Sequence, residues 1–243
     1  MGLWLVLFLC AHLMTNSQAA LWLGDYGIGF IRLANLLESI PYLQVVEVLF
    51  LGFPILLHMG WGIRRALQAK TNSMGTNGSK PSFSYGRNRA FTWQRLTSWV
   101  LAVGMIAHVV QMRFINYPAT RVVDNQVEYL SSVSFDPALG ATVARLHVQL
   151  EPTALGALTV VARDPGTALL FMVRETFKSY WMIGLYTVFL LAAVFHAGNG
   201  LWTALITWGV LLSYRSQKAF LPVAWGLSAI LAFLGLAAIW GSY

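Results

Sequence analysis

Apolar residues in this chain gather in long unbroken runs. Five stretches, about 2–20, 42–63, 92–114, 180–212 and 220–240, approach or reach the roughly 20 apolar residues that a helix needs to cross a bilayer. The pattern predicts an all-α membrane protein of five transmembrane helices, forming one domain over residues 1–243. Pro54 lies inside the second run and has no N–H, so the carbonyl of Phe50 loses its helical donor and a kink is expected there. Between the second and third runs, KTNSMGTNGSKPSFSYGRN (residues 70–88) has the Asn, Ser and Gly of a flexible solvent loop.

The connection over about 115–178 is long for a membrane bundle. ATVARLHVQLEP and ALTVVARDPG alternate apolar and polar positions, which predicts a small β element. TALLFMVRETFKSY, from Thr167 to Tyr180, reads as an amphipathic helix lying at the outer surface and leading into the fourth span.

Composition agrees with the pattern: 57% of the 243 residues are hydrophobic and only 10% are charged, which excludes an ordinary soluble domain. The net charge of +7 is a topology signal first, because of where it sits. From Arg64 to Arg95 there are seven basic residues and no acid, and Arg215 and Lys218 lie between the last two runs. Arg32 is the one basic residue between Thr15 and Tyr42. Loops two and four are therefore expected on the cytoplasmic side of a multi-pass membrane protein, with lipid as its surroundings and no nucleic acid as partner. The single cysteine, Cys10, excludes a disulfide framework and a thiolate-held iron–sulfur cluster within the chain. The first run starts at Met1 without a basic leader, and NSQAA loosely resembles a cleavage site; His12 in its apolar core predicts a retained helix rather than a secretory signal.

Four of the five histidines sit one per apolar run: His12, His58, His108 and His196. An ionisable ring at membrane depth is costly and normally faces a partner inside the bundle. Haem iron takes axial histidines, and its flat macrocycle needs small neighbours one turn away. His58 has Gly62 at i+4, His108 has Gly104 at i−4 and His196 has Gly200 at i+4, whereas His12 has Asn16. Glycines also promote close helix packing in any membrane bundle. A zinc or copper site would recruit more carboxylates or thiolates than these runs contain. Spacing alone leaves bis-histidine haem, a proton relay in a haem-free transporter, and packing all open. His147, in the long connection, reads as a surface residue.

The flanking residues carry more. FPILLHMGWGIRRAL, SYGRNRAFTWQRLTSWVLAVGMIAHVVQMR and FHAGNGLWTALITWGVLLSYRSQK, together with LCAHLMTNSQAA and LLESIPYLQVVEVLF, resemble the membrane-anchor cytochrome b subunit of succinate:quinone oxidoreductase (succinate dehydrogenase), in its five-helix, two-haem form. The resemblance implies a four-helix core holding two b haems, with His58 and His196 ligating one and His12 and His108 the other. It implies electron transfer from flavoprotein and iron–sulfur partner subunits through this anchor to quinone, menaquinone being the expected species. Arg95 and Ser98 are implied as partners of haem propionates, and Glu38 as a proton-handling group at the quinone site. The chain would thus be the non-flavin membrane subunit of an enzyme complex, and its 115–178 connection is longer than the family's usual link.

Overall fold

The computed structural model describes residues 1–68, 86–153 and 158–243. The loop expected over 70–88 lies outside the described residues as far as residue 85. In chain order the elements are helices α1 (Gly2–Ser17), α2 (Ile28–Glu38), α3 (Leu43–Gln68) and α4 (Gly86–Ile115), strands β1 (Ala119–Val123) and β2 (Gln126–Val133), helix α5 (Leu139–Leu146), strands β3 (Gln149–Pro152) and β4 (Leu158–Ala162), and helices α6 (Pro165–Thr176), α7 (Tyr180–Thr207) and α8 (Tyr214–Gly241). Among the described residues, α3, α4, α7 and α8 are long and apolar enough to cross a membrane. The first run forms the shorter α1, whose 16 residues rise about 24 Å.

The chain divides into two compact units, the first made of Met1–Ala11, Gln44–Met105 and Val188–Phe233. Its regular structure among the described residues is all helix. Large apolar side chains point outward from it, with Leu56 63%, Val103 71% and Ile230 59% exposed, as lipid-facing positions require. The break predicted at Pro54 is a π-helical turn over Val48–Gly52. The Phe50 carbonyl that Pro54 leaves without a donor receives the indole N–H of Trp4 at 2.6 Å. At the other end of these helices Arg87 donates to Gln217 Oε1 at 2.6 Å, and Trp202 Nε1 donates to the Gln217 carbonyl at 3.0 Å. Gly198 lets α7 approach α8, since a Cβ there would strike the Ser228 hydroxyl.

The second unit comprises His12–Leu43, Ile106–Thr187 and Leu234–Tyr243. Its centre is a four-stranded antiparallel sheet in the order β1-β2-β4-β3. Asp124 and Asn125 both have positive φ (49° and 64°), the left-handed pair of a two-residue hairpin turn that matches the twist of β1 and β2. Alternate residues Ser131 and Val133 of β2, with Val160 of β4, face inward onto Phe171 of α6 and Leu139 of α5. Ser131 Oγ donates to the Ala168 carbonyl at 2.7 Å, fastening sheet to helix.

Two expectations for this region need correction. ATVARL is not a strand: Leu139, Val143 and Leu146 recur at helical spacing and pack on one core, so α5 forms there. The expected β element is real, but only Gln149–Pro152 and Leu158–Ala162 of the quoted stretches belong to it, and β1 and β2 complete it. The helix expected at the outer surface over 167–180 is instead α6, a core helix. Leu170, Phe171, Met172 and Val173 are all buried, so it has no wet face of the kind an interfacial helix keeps. Asp164 caps it, accepting from Thr167 N at 2.8 Å with Pro165 in the first turn, and also accepts from Asn35 of α2 at 2.8 Å.

Buried charge in this unit is compensated. Arg174, 5% exposed, holds Asp136 through two bonds of 2.8 and 2.6 Å, and Lys178 adds a third contact at 2.7 Å. The hydrogen bond from Arg174 keeps the Asp136 carboxyl well below the usual carboxylate range, with Lys178 helping and burial opposing.

Candidate cofactor site

The four histidines of the apolar runs meet as two pairs, one in each unit. In the first unit His58 of α3 and His196 of α7 stand with ring centroids 6.2 Å apart and planes at 85°. His58 follows Pro54 by one turn, on the segment beyond the π turn. Gln94 of α4 ties α7 down at this point: its Nε2 donates to the His196 carbonyl at 3.1 Å, and its Oε1 accepts from Asn199 at 2.8 Å. The Nδ1 of His196 is buried and meets no hydrogen-bond partner among the described residues. No other described part of the protein comes within 4 Å of where a Cβ on Gly62 would stand, so there is room one turn from His58. A Cβ on Gly200 would stand 3.5 Å from Gln94 Nε2, an ordinary contact.

In the second unit His12 of α1 and His108 of α4 stand 5.9 Å apart, again at 85°. His108 Nδ1 lies 3.2 Å from the hydroxyl of Tyr186, which donates its one proton to Gln111 Oε1 at 3.1 Å. That assignment makes Nδ1 of His108 the donor and leaves its Nε2 with a lone pair. Phe177 holds the Tyr186 ring edge-on, centroids 5.2 Å apart. Asn16 donates to the His12 carbonyl at 2.8 Å; its 3.4 Å approach to His12 Nδ1 is too long to fix that ring.

The glycine argument for His108 does not hold. The space a Cβ on Gly104 would take is filled by the ring of Phe189, so Gly104 serves helix packing. Ser98 Oγ donates to the Arg95 carbonyl at 2.7 Å, and Arg95 reaches the Ala66 carbonyl at the end of α3 at 3.4 Å and lies over the Phe91 ring. Glu38, the last residue of α2, accepts from the Tyr117 hydroxyl at 2.8 Å, and the Arg113 guanidinium covers the Tyr117 ring at 4.3 Å. Burial, then the hydrogen bond and charge of Glu38, push the Tyr117 hydroxyl up to about 12. His147 is exposed and caps α5 in the left-handed conformation, away from either pair.

Sequence reasoning missed Tyr186, Gln111, Tyr117 and Trp4. Gln111 carried a weak signal, one turn past His108. The other three are 78, 79 and 46 residues from their partners, and no local pattern marks them.

Chemically, each pair offers two imidazoles. An imidazole nitrogen bonds a first-row metal at about 2.0 Å, which puts two facing rings on one metal with centroids about 6 Å apart. Both observed separations match. Among the described residues no three His, Cys, Asp or Glu side chains gather, so neither pair is a tetrahedral site of protein ligands. Two facing imidazoles in each pair, with open space beside His58 at Gly62, fit a metal whose remaining ligands come with a macrocycle.

The chain is similar over 233 residues, 96% of its length and 87% of the relative's, to the succinate dehydrogenase cytochrome b558 subunit of Bacillus subtilis (strain 168), with 25% identity. No protein-family model and no solved structure matches the chain.

Proposed function

Starting from this homology to a succinate dehydrogenase cytochrome b subunit, we propose that the chain is the dihaem membrane anchor of a succinate:quinone oxidoreductase. The observation that carries the reading is the pairing of four intramembrane histidines, from four different helices, at the spacing of two axial ligands on one iron. His58 and His196 would hold one b haem, and His12 and His108 the other. Haem b, when bound, carries one electron at a time by cycling its iron between ferric and ferrous states.

The chain's own residues then have separate tasks. Gln94 fixes the turn of α7 that presents His196, and Tyr186 with Gln111 sets the tautomer and orientation of His108. Arg95 and Ser98 are assigned to propionates on the side of His58, where a guanidinium offers forked donors. Quinone reduction takes up a proton with each electron, and Glu38 is assigned as the group that supplies it. Tyr117, bonded to Glu38 and neutral at physiological pH, orients that carboxylate.

Electrons would enter from an iron–sulfur subunit fed by a flavoprotein, both docked on the basic side of the anchor. With those partners co-expressed, succinate is expected to reduce a b-type difference spectrum in membranes, and His58→Ala to remove part of it. A purified, folded chain that contains no haem overturns the reading.

A further inference from the structure

We propose that the first unit carries a specific site for one anionic phospholipid, in a cavity of about 650 Å³ between α4, α7 and α8. The volume lies within the roughly 300–1,000 Å³ typical of small-molecule pockets, room for a head group and part of a chain. Its polar end presents two cations, Arg87 and Lys218, and its lining contains no carboxylate. Arg87 spends one N–H on Gln217 Oε1 and lies over the rings of Tyr214 and Trp202; among the described residues neither Arg87 nor Lys218 meets an acid. A phosphate would satisfy both, and charge-assisted bonds from a guanidinium fork are the strongest available to it.

The rest of the cavity is apolar and long. Its wall on α8 runs from Lys218 through Leu221 and Trp225 to Ser228, eleven residues, or about 15 Å of helix. Phe195 and Trp202 of α7 form the facing side. Two cations at one end and an acyl-length apolar wall beyond them fit a lipid whose head is anionic and whose chain lies along α8. A choline or ethanolamine head would bring a cation to a site with no acid. A neutral quinone would leave both cations unanswered. The site lies at the end of the helices that the basic loops assign to the cytoplasm, where pockets of this kind collect anionic lipid. The inference needs the chain to be in a membrane and does not depend on haem.

The test is native mass spectrometry of the full-length chain, purified in mild detergent and titrated with phosphatidylglycerol or phosphatidylcholine. One phosphatidylglycerol is expected to bind at least about tenfold more tightly than phosphatidylcholine. Arg87→Gln with Lys218→Gln should abolish the preference, whereas Arg64→Gln with Arg65→Gln, an equal loss of charge outside the cavity, should preserve it. Lys218→Gln alone alters an exposed side chain with no hydrogen bond among the described residues and should lower the preference without changing the melting temperature. No preference in the wild type, persistence in the double variant, or equal loss in the Arg64 and Arg65 control overturns the proposal. So does displacement of the lipid by inorganic phosphate alone, which would mark an anion site without a chain-binding wall.

Discussion

Tyr186 decides more at the second histidine pair than its place in the apolar run suggests. Its hydroxyl has one proton, and giving it to Gln111 leaves His108 Nδ1 no choice but to donate. Partners of this kind around a ligating histidine typically contribute tenfold to hundredfold in metal retention. If this pair holds haem, Tyr186→Phe is therefore expected to weaken its retention by about tenfold to hundredfold, measured as transfer to apomyoglobin, with little change in the fold. Asp136 is the other residue whose chemistry is set by its neighbours. Asp136→Asn leaves Arg174 buried without its counter-charge and should destabilise the second unit by about 3–5 kcal/mol in denaturant unfolding. Because the folded-state pKa of Asp136 is depressed, its stabilisation is complete above the unfolded pKa of about 3.9. That contribution should stay flat from pH 5 to 8 and fall only as pH drops below about 4.

The elements differ in how openly the sequence displays them. Long apolar runs announce α3, α4, α7 and α8, because every face of a lipid-exposed helix is apolar and the signal is compositional. Pro54 announces a break, since a missing N–H is a local fact; what answers the orphaned Phe50 carbonyl is not local, and turned out to be Trp4. Trp4→Phe should cost about 1 kcal/mol in the wild type and close to nothing in a Pro54→Ala background, where the helix regains its own donor. Equal costs in both backgrounds would mean that Trp4 acts through packing instead. The connection over 115–178 was harder to read. Its ATVARL segment satisfies both a two-residue and a helical repeat, and the choice fell to whichever face the core could bury. The Asp124-Asn125 turn between β1 and β2 lies outside the alternating segments singled out in the sequence, and its left-handed pair shows only in the structure.

At the scale of the molecule, four histidines on four helices become two pairs. If each pair holds one haem, His58→Ala and His196→Ala should each remove the same equivalent, and their combination should remove no more. His58→Ala with His12→Ala should remove both, counted by pyridine haemochrome per chain. Additive loss within a pair would break the assignment. The sequence by itself determined the class of protein, the number of apolar runs, the basic loops and the identity of four costly rings, because each of these depends on what a stretch of chain contains. Which rings meet was left open by spacing and implied only by the resemblance; what holds them, that α6 is a core helix, and that Arg87 and Lys218 share a cavity were decided by tertiary structure. The pairings of the histidines, of Gln94, Tyr186 and Tyr117 with their partners, and of Arg87 with Lys218 join residues 78 to 138 positions apart. At such separations no repeat or local propensity links the partners, and only the packing of helix against helix chooses between them.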